Sequence, residues 1–177
     1  QNVVPIFGSV TDASGNTYQT LQIGSQEWMA ENLKTTKYAD GSNIPYVTQG
    51  NQNTTTGYYL YYDNIDPNYI NNYGMIYNGY AMQDSRNVCP SGWHVPSDSE
   101  WGALADIFGY LDVTPWIESG GALKSQSLFQ SPNTGATNES YMSLVPGGRD
   151  DGGTSAPSLV GDQGHYWSST QPNGSSS

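Results

Sequence analysis

Ser97-Asp98-Ser99-Glu100-Trp101 is the stretch that most restricts how this chain can fold. A serine hydroxyl accepts from the unpaired N–H groups of a first helical turn, and a glutamate three residues later reaches back to the serine amide. Asp98 and Glu100 also place negative charge at the positive end of the helix dipole. Behind this cap Trp101, Leu104, Ala105 and Phe108 recur at helical period and mark one apolar face. Gly109 follows as a residue able to take positive φ and stop the helix. The pattern predicts a helix over residues 98–108 that turns Trp101, Leu104 and Phe108 toward a core.

Around that helix the chain reads as short strands and turns within one domain. Its 21 glycines and 10 prolines favour reversals over long regular elements, and its 14 tyrosines supply large buried area per side chain. Residues 17–23 and 26–33 flank Gly24-Ser25 as a hairpin, with Trp28 in the returning strand. Residues 141–145 alternate as a strand, and residues 164–169 read as a core strand with Trp167 pointing inward. Residues 64–72 read as a polar loop, 78–83 as a short helix at best, and 146–162 as a long glycine-rich loop. The leading Val3-Val4-Pro5-Ile6-Phe7 is apolar on both strand faces, and Pro5 confines it to an edge or irregular position. Residues 1–8 are therefore an arm, and residues 9–177 the domain. A first residue other than Met points to a signal peptide already removed.

The net charge of −11, with only 5 Lys and Arg, leaves no basic patch for nucleic acid or an anionic membrane. No stretch approaches the ~20 apolar residues of a membrane span. Asp12, Ser14, Gly15 and Asn16 resemble the opening of a calcium loop, yet position 23 is Ile where a closing glutamate would stand, so the segment reads as a turn. Arg149, Asp150 and Asp151, with His165, form a candidate ligand loop. His94 and His165 lack the spacing of a zinc site, and His94 reads as a satisfied core histidine. No Gly-x-Ser-x-Gly elbow occurs and no carboxylate pair is singled out, so neither catalysis, metal nor cofactor is expected. Asn53, Asn138 and Asn173 fit the glycan-acceptor pattern.

Gly92-Trp93-His94-Val95-Pro96-Ser97-Asp98-Ser99-Glu100-Trp101 also resembles the signature of the Fibrobacter succinogenes major paralogous domain. The resemblance continues through residues 12–18, 23–36, 73–81, 131–140 and 166–170. It implies a bacterial protein, extracellular or at the cell surface, of an α+β, C-type-lectin-like fold related to formylglycine-generating enzymes. Short antiparallel strands, one or two short helices and long loops would surround a core holding Trp28, Trp93, Trp101, Leu104, Phe108 and Trp167. Those related enzymes depend on active-site cysteines, which the single Cys89 cannot supply as a pair. The resemblance further implies a second cysteine near the C-terminus as a bridging partner for Cys89, and closing strands beyond residue 177, so the domain is expected to be C-terminally incomplete. Val3, Val4, Ile6 and Phe7 would then complete a neighbour's sheet, building a head-to-tail homopolymer and an extracellular fibre. Donation of the arm and its folding back onto its own domain are both open. The alternative role is a stand-alone adhesion module for a glycan or protein ligand.

Overall fold

A computed structural model describes residues 5–48, 50–51, 55–62, 65–108, 119–150 and 158–171. Three antiparallel strands open the chain: β1 (Phe7–Thr11), β2 (Thr17–Ile23) and β3 (Gln26–Met29), in the order β1-β2-β3. The β2–β3 reversal is the predicted hairpin. Gly24 takes φ 59°, a left-handed backbone that favours glycine, and a Cβ there would lie 2.7 Å from the tip of the exposed Ile107 side chain, which would have to swing aside. The β1–β2 reversal is built on Asp12. Its Oδ1 accepts from the Ser14 and Asn16 amides, while Oδ2 accepts from Asn16 Nδ2 and, at 2.6 Å, from the Tyr18 hydroxyl. These oxygens are committed to N–H and O–H donors of an Asx-type turn.

The remainder is a series of short elements: β4 (Tyr59–Leu60), α1 (Tyr69–Tyr73), β5 (Ile76–Tyr77), α2 (Gly79–Met82), α3 (Asp98–Ile107), α4 (Ser119–Leu123), β6 (Gly147–Arg149) and β7 (Ser158–Val160). β4 pairs antiparallel with β5, and β6 with β7. The architecture is α+β, with short antiparallel strands and short helices. The predicted capping box is present on α3: the Ser97 hydroxyl accepts from the Glu100 amide, and the Ser97 amide donates to Glu100 Oε2 at 2.8 Å. Phe108 is the C-cap, and Gly109 lies outside the described residues.

Three apolar clusters hold these elements. Leu104 of α3, fully buried, packs with Leu21, Ile23, Trp28, Leu123 and Met142, with Trp101 and Phe108 half-buried against them. The rings of Trp28 and Trp101 lie 4.9 Å apart. Each fully buried side chain of this size contributes about 1.5–3 kcal/mol. A second cluster gathers Tyr38, Ile44, Tyr77 and Val88 with Cys89, and Trp93 leans half-buried on it. The third is built on Tyr58, Leu60, Tyr62 and Tyr69. Alternation within residues 58–62 sends Tyr58, Leu60 and Tyr62 inward and leaves Tyr59 and Tyr61 partly exposed.

Several sequence expectations need correction. Residues 141–145 do not form a strand, because Tyr141 (φ 62°) and Ser143 (φ 52°) take left-handed backbone that no strand continues through; only Leu144 bridges, to Lys124. Residues 164–169 form no strand either, only a bridge from Gly164 to Gly148. Trp167 is consequently not a core residue but 45% exposed. His94 is also no core histidine: its side chain is 68% exposed and its Nε2 lies 2.8 Å from Glu100 Oε1, on the far side of the cap. Within 64–72, expected as loop, residues 69–72 belong to α1. The expected boundary between residues 8 and 9 falls inside β1, where Phe7 stands opposite Leu21 of its own domain. Val3, Val4, Asn53, Asp151 and Asn173 lie outside the described residues.

Candidate functional site

β5, α1, β6 and the segment 165–167 bring polar and aromatic side chains together. Together they border a cleft of about 440 Å³. Tyr58, Tyr69, Tyr73 and Trp167 supply its aromatic surface, and Arg149, Asp150 and His165 its charged and titratable groups. Three of the four expected ligand-loop residues are therefore brought to one cavity across a long sequence separation. The fourth, Asp151, is outside the described residues.

Each wall is fixed by a hydrogen bond between distant parts of the chain. The Tyr69 hydroxyl donates to the Gly147 carbonyl at 2.5 Å, holding α1 against β6. Asn32 Nδ2 donates to the Tyr73 carbonyl at 2.8 Å, pulling the segment after β3 onto the end of α1. Gly74, at φ 74°, makes that approach possible, since a Cβ there would fall 2.6 Å from Asn32 Cβ. The Tyr166 hydroxyl bridges both the amide and the carbonyl of Val145 at 2.8 Å. Trp167 donates its indole N–H to the Tyr77 carbonyl at 3.0 Å, and its six-membered ring lies over Gly79. Trp101 in turn donates to the Trp167 carbonyl at 3.1 Å. An indole this exposed, with its only polar atom already bonded, is a fixed apolar platform.

Burial raises the Tyr58 and Tyr62 hydroxyls above the usual phenol range, and the Asp150 charge raises both further. Tyr69 is raised by burial and then by Tyr73. These tyrosines stay neutral donors and acceptors through the physiological range. Among the described residues no group of three or more His, Cys, Asp or Glu side chains is placed to hold a metal ion. No helix among them is long and apolar enough to cross a membrane.

The other sequence candidates lie elsewhere. Cys89 is a free, buried thiol in the second cluster, and burial pushes it up to about 11. Asn138 closes a turn on itself: its Nδ2 donates to the Ser143 hydroxyl at 2.8 Å and its Oδ1 accepts from the Ser143 amide. Ile6, just ahead of β1 with its carbonyl accepting from the Gln22 amide at 3.3 Å, is 75% exposed, and Phe7, the first residue of β1, is 44% exposed. Sequence reasoning missed Tyr58, Tyr69 and Tyr73 as cleft residues. Their density between residues 58 and 73 was the available signal, but tyrosine serves cores and binding surfaces equally well.

In comparisons with known proteins, the sequence model of the Fibrobacter succinogenes major domain matches residues 21–177. No curated protein and no solved structure matches the chain.

Proposed function

The chain belongs to the Fibrobacter succinogenes major domain family, and from that premise we propose that it is a non-catalytic, C-type-lectin-like binding module of the bacterial cell surface or exterior, whose ligand is a glycan. The observation that carries this reading is the placement of Trp167. Its indole is pinned by the Tyr77 carbonyl, stays 45% exposed, and stands beside Arg149, Asp150 and His165 in one cleft. A sugar ring presents an apolar face of C–H groups and a rim of hydroxyls. The aromatic platform suits the face, and the charged and amide groups around it suit the hydroxyls. The platform is ordered before any ligand arrives, so binding does not have to immobilise it. Loops held by short strands and distant hydrogen bonds supply the polar groups, which is where binding residues tend to sit.

The test is a titration of the chain with neutral and acidic oligosaccharides, followed by calorimetry. Trp167→Ala is expected to weaken binding about tenfold, equivalent to ~1.4 kcal/mol, and to lower the melting temperature by at least about 2–4 °C through the lost bond to the Tyr77 carbonyl. Arg149→Ala is expected to change which sugars bind. If no oligosaccharide binds at millimolar concentration, or if Trp167→Ala binds as well as the natural chain, the reading is wrong.

A further inference from the structure

Alternation along residues 58–62 leaves Tyr59 and Tyr61 on one outer face. Residues 45–47 run alongside: the Tyr59 amide donates to the Pro45 carbonyl and the Val47 amide to the Tyr59 carbonyl, both at 3.0 Å. These two bonds set Tyr46 in parallel register with Tyr59. Val47 packs against the third cluster, so its neighbour Tyr46 turns outward onto both tyrosines. The Tyr46 ring lies 5.3 Å from that of Tyr61 and 5.5 Å from that of Tyr59, centre to centre. Tyr46 is 47% exposed, while Tyr59 and Tyr61 are half-buried. The other tyrosine rings in contact among the described residues each involve a buried member: Tyr59 with Tyr77, Tyr62 with Tyr69, and Tyr69 with Tyr73. Tyr80 and Tyr141 are as exposed as Tyr46, but among the described residues neither stacks on a second tyrosine. An exposed phenol held in ring contact with other phenols is therefore particular to Tyr46.

We propose that Tyr46 and Tyr61 are an oxidative cross-linking site, at which a haem peroxidase with hydrogen peroxide joins the two rings as dityrosine and staples residues 45–47 to β4. This goes beyond the glycan reading and does not rest on it. Tyr46, at the surface, gives up an electron and its hydroxyl proton first, and the radical can pass to Tyr61 across the ring contact. A second oxidation of Tyr46 then sets two radicals side by side. A carbon–carbon bond forms between the two ring carbons beside the hydroxyls. Each of those carbons releases its hydrogen as a proton while each oxygen regains one, so both rings return to phenols. The chain loses two hydrogens in all, and one peroxide takes the two electrons and two protons to become two waters. Tyr61 is the better partner for two reasons. Its ring is tilted 34° to that of Tyr46, against 48° for Tyr59, so less rotation brings the edges together. Burial, and then Tyr61, also hold the Tyr59 hydroxyl above the usual phenol range, so that proton is harder to remove. Exposed side chains turn within nanoseconds, and two rings already in contact meet far more often than rings on separate molecules. The bond would close a loop of about 15 residues, which restricts the unfolded chain as a disulfide does. The single cysteine in the sequence cannot form such a staple within these residues.

The test treats the dilute, folded chain with a haem peroxidase and hydrogen peroxide. The product should be a single chain lighter by two hydrogens, with the blue fluorescence of dityrosine. Trypsin cuts after Lys37 and Arg86, so residues 38–86 hold both tyrosines in one peptide. That peptide should carry the mass loss and give no fragment ions from backbone breaks between Tyr46 and Tyr61. Tyr46→Phe and Tyr61→Phe should each lower the yield at least tenfold, and Tyr141→Phe, equally exposed, should leave it unchanged. The cross-linked chain should melt at least about 3 °C higher than the untreated one. A link mapped to another pair, linkage only between chains, or oxidation without loss of two hydrogens overturns the proposal, and none of these readings depends on whether a variant folds. Cross-linking of Tyr46→Phe as readily as the natural chain overturns it too, and an unchanged melting temperature refutes the staple.

Discussion

Replacing Asp12 by alanine removes the acceptor around which the β1–β2 reversal is built. The Ser14 and Asn16 amides lie at a partly open turn and can turn to water, so losing those bonds costs little more than the turn itself, about 1 kcal/mol. Tyr18 is different. It is fully buried, donates to Asp12 Oδ2 at 2.6 Å, and accepts from the Lys34 amide at 3.0 Å. Stripped of its acceptor, that hydroxyl keeps a buried, unsatisfied proton, which costs about 1–3 kcal/mol. The total of about 2–4 kcal/mol should lower the melting temperature by roughly 4–16 °C, at ~2–4 °C per kcal/mol for a domain of this size. A double-mutant cycle with Tyr18→Phe should return a coupling of about 1–3 kcal/mol, since each single change already breaks the shared bond. The pH dependence follows from the same bonds. Burial alone would raise the Asp12 carboxyl, but the donors from Tyr18, Asn16 and Ser14 outweigh it and hold the group below 3.8. A depressed carboxyl contributes stability that is present above about 3.8 and is lost as pH falls below it. Thermal melts by circular dichroism from pH 2 to 7 would show both effects. A melting temperature within 2 °C of the natural chain for Asp12→Ala, or strict additivity with Tyr18→Phe, would refute the reasoning.

Ser97→Ala should cost about 1 kcal/mol as a lost helix cap, read as a melting-temperature fall of roughly 2–4 °C. Glu100 is held down to about 2 by the Ser97 amide, then by His94 and the Ser97 hydroxyl. Its contribution is therefore present above 4.5 and fades toward pH 2, where Glu100→Gln and the natural chain should melt alike; a gap that persists at pH 2 contradicts this. Cys89, pushed up to about 11 by burial, should react with a disulfide reagent at pH 8 roughly a hundredfold more slowly in the folded chain than in denaturant, and equal rates would place the thiol at the surface. Chelator should leave the melting temperature unchanged, because both Asp12 oxygens are already taken by donors; a fall of more than about 4 °C would show a bound cation.

What the sequence made legible was local. The helix after Ser97 could be read because a capping box and an apolar period agree within a dozen residues, and the hairpin at Gly24 because turn chemistry separates two strand-like runs. The grouping of Arg149, Asp150 and His165 has a counterpart in the fold, since all three line one cleft. The environment of Trp167 was not legible. Its orientation is set by the carbonyl of Tyr77, ninety positions away in the chain, and no nearby pattern encodes that bond. His94 misled for a related reason. Beside Trp93 it looked like core, but Glu100 has two carboxylate oxygens, and once one caps the helix the other holds His94 at the surface. Residues 141–145 carried the alternation of a strand, yet left-handed backbone at Tyr141 and Ser143 broke it without a glycine to announce the break.

The glycan reading stands on Trp167, and its indole proton can be watched directly. That proton is bonded to the Tyr77 carbonyl at 3.0 Å while the ring stays exposed, so its resonance reports both the bond and whatever lies on the ring. In an ¹⁵N-correlated spectrum, with the signal assigned by its loss in Trp167→Phe, titration with a binding oligosaccharide should shift the Trp167 indole peak saturably. The backbone amides of Arg149, Asp150 and His165 should shift with the same dissociation constant. Binding that leaves these four signals unmoved while shifting others would place the ligand elsewhere and contradict the account.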